Sequence, residues 1–128
     1  MEVVLSYGKT GLPVELPDHN VTVVRPVFVP GLDDQRGAVA DALKHPIGCP
    51  ALREMVRPSD TVAVVFCDAT RPVPSRLILP VLLGELESAG VGRDQIVLIN
   101  ALGTHRPSPP EELVELLGED LVREYRIV

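Results

Sequence analysis

The sequence predicts an α/β fold in which an open sheet has a parallel βαβα core over about residues 61–117, after a β-rich N-terminal segment. Two apolar runs of strand length, residues 61–67 and 95–100, are each followed by a proline-bounded loop and then by a helical pattern. This repeated order is typical of parallel neighbours joined by a right-handed crossover. The 128 residues fit a single domain, for which ~100–200 residues are usual.

The first third of the chain is predicted to be rich in strands. Residues 2–7 and 21–25 are short valine-rich runs, and glycines and prolines that favour turns separate them. The stretch 26–30 begins and ends with proline, so it can be extended but cannot lie in the middle of a sheet.

Two helical segments are predicted before the parallel core. Asp33 or Asp34 can cap a helix over residues 35–44, whose apolar side chains fall on one face. The stretch 45–50, which contains two prolines and a glycine, ends this helix. Residues 51–56 are expected to form one or two helical turns.

The first unit of the core is predicted to be a buried strand followed by a long helix. Residues 61–67 are apolar nearly throughout, which indicates a strand covered on both faces. Ser75 can cap a helix that runs to about residue 89, before two glycines. Pro80 lies inside this helix and removes one backbone hydrogen bond, so we expect a kink or a late start.

The second unit repeats this order and leads into a further strand. Residues 95–100 predict a second buried strand, and residues 111–117 a helix whose acidic start suits the positive end of the helix dipole. Residues 123–128 are predicted to begin another strand. An unfinished sheet predicts a domain truncated at its C-terminal end, with an exposed edge that favours self-association.

Composition excludes several functional classes. A net charge of −6 and only four aromatic side chains disfavour nucleic-acid binding, because phosphates are repelled and bases find no stacking platform. No N-terminal leader and no apolar run of ~18–20 residues is present, so we expect a cytoplasmic protein without a membrane segment. Cys49 and Cys67 lie far apart and the three histidines are scattered, so no disulfide framework and no local metal motif is predicted.

Polar residues that could carry chemistry follow both predicted core strands. Asp68, Thr70 and Arg71 come after the first strand, and Thr104, His105 and Arg106 come after the second. Ligands bind beyond the carboxyl ends of parallel strands, and adjacent strands lie ~5 Å apart. Asp68, Arg71 and His105 can therefore converge on one small ligand, with a base that titrates near neutral pH and a guanidinium that holds a carboxylate.

A purely structural interpretation of these residues stays open at this point. Asp68 can cap a turn, Arg71 can be solvated, and His105 can bond a backbone carbonyl in a proline-rich loop. His19 and His45 lie in turn-rich segments outside the core and are expected to be surface residues.

The two loops resemble those of the N-terminal domain in the lactate racemase family, the nickel-pincer-nucleotide-dependent racemases and epimerases of 2-hydroxy acids. The resemblance extends over nearly the whole chain and implies a Rossmann-like domain. It rests on an Asp-x-Thr-Arg-Pro-Val-Pro-Ser motif and a His-Arg-Pro-Ser motif some thirty residues later, within FCDATRPVPS (residues 66–75) and GTHRPSPPEEL (residues 103–113).

The resemblance implies roles for individual residues. The family's cofactor takes a hydride from the carbinol carbon and returns it to either face, while histidines move the hydroxyl proton. By position, His105 matches one of these histidines, Asp68 its acidic partner, and Arg71 the arginine that holds the substrate carboxylate. Thr70 and Thr104 are predicted to contact the cofactor.

The resemblance also implies that the chain is incomplete as an enzyme. In the family, the residues that hold the nickel and the cofactor lie further along the chain, so the remaining part of the enzyme is an expected partner and the chain alone is expected to be inactive. Two other interpretations stay open: a non-catalytic module that binds a small acid or a partner protein, and a structural remnant.

Overall fold

The N-terminal unit of the structure is a short antiparallel hairpin. The computed structural model describes residues 1–128, in two compact units, Met1–Pro30 and Gly31–Val128. In the first unit, β1 (Glu2–Leu5) pairs with β2 (Leu12–Glu15).

The second predicted strand, residues 21–25, is wrong, because the partner of β1 lies earlier in the chain. Two glycines with positive φ, Gly8 and Gly11, close the hairpin, and the Gly11 amide donates to the Tyr7 carbonyl at 2.9 Å. These glycines return the chain immediately, so residues 12–15 pair before residues 21–25 are reached.

The second unit alternates helices and strands as the sequence predicts. Helix α5 has no counterpart in the sequence analysis, and it shortens the expected C-terminal strand to two residues. The elements are α1 (Gln35–Lys44), α2 (Leu52–Met55), β3 (Val62–Cys67), α3 (Ser75–Ser88), a 3₁₀ turn (Arg93–Gln95), β4 (Ile96–Ala101), α4 (Pro110–Leu117), α5 (Glu119–Glu124) and β5 (Arg126–Ile127).

The sheet of this unit is entirely parallel, with strand order β3-β4-β5. Strands β3 and β4 pair from Val62 opposite Ile96 to Cys67 opposite Ala101, so both strands end at the same level. The α/β fold with a parallel core is therefore confirmed.

Only one face of the sheet is covered by helices. Strands that follow one another in sequence order, joined by right-handed crossovers, receive all their helices on the same side. The expectation that residues 61–67 are covered on both faces is therefore wrong: Val64 and Phe66 are buried, whereas Val65 points the other way and is 62% exposed. The buried core consists of Val64, Phe66, Leu79, Leu83, Leu86, Val91, Ile96, Leu98, Leu117 and Tyr125.

The starts of α1 and α3 can be compared with the capping residues that the sequence predicts. Asp34 caps α1, since its carboxylate accepts from the Gly37 amide at 2.8 Å. Ser75 is the first residue of α3 and makes no capping bond. Of the kink or late start expected from Pro80, the late start is wrong, because the helix begins at Ser75 and continues through Pro80. Leu79 and Leu83 are buried on either side, and this packing outweighs one lost hydrogen bond.

The C-terminal strand is held by a polar cluster at the far end of α3. The Tyr125 hydroxyl donates to Glu87 at 2.5 Å, and the Arg93 guanidinium lies 5.7 Å from the Tyr125 ring centre. Arg93 also pairs with Glu124 at 2.5 Å. Burial, followed by the bond to Glu87, raises the pKa of Tyr125 to about 12. This cluster ties the segment before β5 to α3.

No helix of the chain has the length and apolar character needed to cross a bilayer.

The one-sided sheet makes a prediction about stability. Leu98→Ala should lower the free energy of unfolding by about 2–5 kcal/mol, because Leu98 is 0% exposed and the truncation leaves a cavity. Val65→Ala, on the uncovered face, should cost about 1 kcal/mol or less. Urea denaturation measures both values, and equal losses would show that the second face is buried as well.

Candidate functional site

A tight turn closed by a main-chain hydrogen bond opens each of the loops after β3 and β4. The Arg71 amide donates to the Asp68 carbonyl at 3.2 Å, and the His105 amide donates to the Leu102 carbonyl at 3.0 Å. When the strand register is continued past Cys67 and Ala101, Arg71 falls opposite His105. The parallel pairing therefore places the guanidinium and the imidazole at equivalent positions on neighbouring strand ends, which are ~5 Å apart.

The second turn depends on a glycine. Gly103 has φ +59°, in the left-handed region, and an added Cβ would meet open space. A substitution would therefore be costly because of the backbone and not because of crowding. Ala69 occupies the corresponding position of the first turn, with an ordinary negative φ.

Asp68 is a buried carboxylate held by its own turn. It is one of two buried polar residues of the chain, and its Oδ1 accepts from the Thr70 hydroxyl at 2.7 Å and from the Thr70 amide at 3.3 Å. The Thr70 hydroxyl, followed by the His105 ring, holds the pKa of Asp68 below its usual value. Asp68 is therefore ionised at neutral pH and acts only as a hydrogen-bond acceptor.

The second oxygen of Asp68 fixes the ring of His105. The Nδ1 atom of His105 lies 2.5 Å from Asp68 Oδ2. Because the ionised carboxylate can only accept, Nδ1 carries the proton, and Nε2 of the neutral ring is left with a free lone pair. The His105 side chain is 46% exposed, whereas that of Asp68 is 7% exposed. The pair thus presents an oriented base to the outside.

Arg71 and His105 share one cavity of about 220 Å³ at this edge of the sheet. Arg71 is exposed and its side chain makes no hydrogen bond or ion pair within the chain, so all its donors are free for a ligand. The cavity is lined by Cys67, Asp68, Arg71, Ala101, Leu102, Gly103, Thr104 and His105. A free guanidinium beside an oriented imidazole suits a small ligand that has a carboxylate and a hydroxyl group.

The other predicted site residues lie at the same edge with different partners. The Thr70 hydroxyl is engaged by Asp68, whereas Thr104 lines the cavity and makes no hydrogen bond within the chain. Both remain predicted cofactor contacts. No group of three or more His, Cys, Asp or Glu side chains gathers anywhere in the chain in a way that could hold a metal. His45 lies away from the cavity and pairs with Asp41 on the surface.

The sequence analysis missed a polar cluster behind the second loop. Asn100 at the end of β4 donates to the Ser108 hydroxyl at 2.9 Å, and Glu112 of α4 binds both Ser108 and Arg106. The capping-box pattern pairs a serine with a glutamate three residues later, which here is Glu111. Ser108 binds Glu112 instead, and the helix cap is Pro109, so this pattern does not reveal the cluster.

The lowered pKa of Asp68 predicts acid sensitivity. A carboxylate whose pKa is lower in the folded state stabilises the protein above its unfolded value of ~3.9, and this contribution is lost as the pH falls through the folded value. Asp68→Asn should reduce the unfolding free energy at pH 7 and should lose less of it between pH 5 and pH 3 than the unsubstituted chain. Urea denaturation at several pH values measures this.

Asp33→Asn is the matched control for that experiment, because it removes an exposed carboxylate that makes no hydrogen bond within the chain. Equal acid sensitivity of Asp68→Asn and the unsubstituted chain would contradict the role assigned to Asp68.

Comparisons with known proteins agree with this fold. Over 127 residues the chain is 35% identical to a lactate racemase of Lactiplantibacillus plantarum and 32% identical to one of Thermoanaerobacterium thermosaccharolyticum, covering 97% of this chain and 30% of each relative. The solved structure of the T. thermosaccharolyticum lactate racemase apoprotein matches with a TM-score of 0.72 at 29% identity, covering 100% of this chain and 30% of that one.

The chain thus spans less than a third of the length of the relatives it matches. The family model that describes the lactate racemase N-terminal domain matches residues 7–128. Together with the parallel core and the two loops, these matches show that the chain belongs to the lactate racemase N-terminal domain family.

Proposed function

We propose that residues 1–128 form the N-terminal catalytic-domain portion of a racemase or epimerase of 2-hydroxy acids, and that this portion binds the acid and moves its hydroxyl proton. The observation that carries the proposal is the oriented His105 ring beside the free Arg71 guanidinium in one cavity. The names of the relatives, both lactate racemases, support the same substrate class.

Each of the three central residues has one task in this proposal. Arg71 pairs with the substrate carboxylate through two parallel N–H bonds. Nε2 of His105 accepts the proton of the substrate hydroxyl group and later returns it to the same oxygen. The transfer of hydride from and back to the carbinol carbon would be supplied by the cofactor that the rest of the enzyme holds. Asp68 keeps the ring in the tautomer that makes this possible and stabilises the imidazolium that forms.

We propose that the metal and covalent ligands of the nickel-pincer nucleotide, which the family resemblance implies, lie outside residues 1–128. The described residues offer no set of metal-binding side chains, so we derive no step at the metal and confine the proposed role to substrate binding and proton transfer. We propose that the remaining part of a longer enzyme supplies the cofactor site and that this chain is inactive alone. Both cysteines are free, which supports a reducing, cytoplasmic location.

A non-catalytic role in binding a small acid is the second candidate. The same lack of metal ligands favours it, because Arg71 can hold a carboxylate whether or not turnover follows. The two candidates share acid binding and differ in racemisation, so they can be separated by experiment.

Acid binding by the chain itself can be measured by NMR titration with L-lactate, D-lactate and pyruvate. Arg71→Gln should weaken binding about tenfold or more, since hydrogen bonds to charged groups contribute ~1.5–3 kcal/mol. Arg76→Gln, an arginine on the first turn of α3 outside the cavity, controls for the change in net charge. Binding that is unaffected by Arg71→Gln would remove Arg71 from the site.

Proton transfer can be tested by joining this chain to the remaining part of the L. plantarum lactate racemase loaded with its cofactor. His105→Ala in this chimera should lower kcat for lactate racemisation by about 10²–10⁴-fold, the usual contribution of general acid–base catalysis. Undiminished turnover would contradict the role of His105. Acid binding by a chimera that folds but never racemises would favour the second candidate.

A further inference from the structure

A chain of side-chain hydrogen bonds runs behind the loop that carries His105. It begins at Asn100, the partner of Phe66 in the sheet register, and ends at Arg106, the residue after His105. None of these side chains belongs to the cavity shared by Arg71 and His105. Their arrangement nevertheless bears on how His105 is held.

Ser108 is the first junction of this chain. Its hydroxyl accepts from Asn100 Nδ2 at 2.9 Å and donates to Glu112 Oε1 at 3.1 Å. The Ser108 hydroxyl is therefore both a donor and an acceptor. Through these two hydrogen bonds, the end of β4 and the start of α4 are both attached to the same residue of the loop.

Glu112 is the second junction, and it reaches the loop at two places. Its Oε2 accepts from Arg106 Nη2 at 2.7 Å, while its Oε1 binds Ser108. The Glu112 side chain is only 20% exposed, and Arg106, followed by Ser108, holds its pKa below the usual value against the opposing effect of burial. An ionised, largely buried carboxylate with two partners is a firm attachment point.

The loop needs such an attachment because the contact that orients His105 is made across the sheet edge. Asp68 lies 37 positions earlier in the chain, and the turn before His105 depends on Gly103, whose φ is positive. The main-chain bond to Leu102 restrains His105 on one side only. On the other side, the restraint comes from Glu112 through the next residue, Arg106.

We infer that Glu112 is a positioning residue for His105: by holding Arg106 and Ser108 it keeps the loop in the one arrangement in which the imidazole meets Asp68. This inference rests on the proposed role of His105 as the base. The charged groups around the ring on all sides are Asp68, Arg71, Arg106 and Glu112, so removal of Glu112 changes both an attachment and the local charge.

The test uses the 128-residue chain and requires no substrate. Glu112→Gln and Ser108→Ala should each lower the hydrogen-exchange protection of the His105 backbone amide about tenfold, and should reduce the fraction of the Nδ1–H tautomer of His105, read from its ring ¹⁵N chemical shifts. Ser108→Thr keeps the hydroxyl group, so both the exchange protection and the tautomer fraction should stay at the values of the unsubstituted chain.

Glu111→Gln is the matched control, because Glu111 also lies in the first turn of α4 but does not bind the loop. It removes the same charge near the same helix dipole and should leave the tautomer unchanged. An unaltered tautomer fraction in Glu112→Gln and Ser108→Ala would overturn the inference. Failure of acid binding or racemisation would instead count against the proposed function, since the NMR measurement depends on neither.

Discussion

The in-register parallel pairing of β3 with β4 is the constraint on which the site depends. Cys67 and Ala101 end the two strands at one level, and each loop then makes a turn closed by the same main-chain bond. The fourth residues of these turns, Arg71 and His105, are therefore brought side by side by backbone geometry alone. A slip of the register by one residue would turn the apolar face of the strand away from the helices and would separate the two side chains. Burial of that apolar face therefore also fixes the position of Arg71 relative to His105.

The helix-covered face of the sheet supports the edge that carries the two loops, although the other face is open. Leu98 and Ile96, on the helix-covered face of β4, are both 0% exposed. The polar groups above them form two linked sets, one around Asp68 and one around Glu112. One buried atom of the second set, Oδ1 of Asn100, has no hydrogen-bond partner. Side chains held by several hydrogen bonds have fewer arrangements available, and the oriented ring of His105 is one result.

Much of this arrangement could be predicted from local patterns in the sequence. The apolar runs, the Asp34 cap and the placement of Asp68 and His105 after adjacent strands follow from periodicity and from the topology of parallel sheets. The sequence does not reveal that an apolar strand such as β3 has one open face, because strand order decides this and periodicity does not. Residues 21–25 had the composition of a strand, but hairpin closure at Gly8 and Gly11 selected a different partner for β1. The Glu112 cluster was missed because its bonds join three elements.

The way the two turns are closed has a consequence for the side chains at their fourth positions. Each turn is closed through main-chain atoms, so the side chain at its fourth position takes no part in holding the frame. Asp68 nevertheless makes the two positions unequal, because its Oδ2 binds the His105 ring, whereas the Arg71 side chain has no partner within the chain. The ring is therefore already oriented when a ligand arrives, whereas the guanidinium can still change rotamer to meet it.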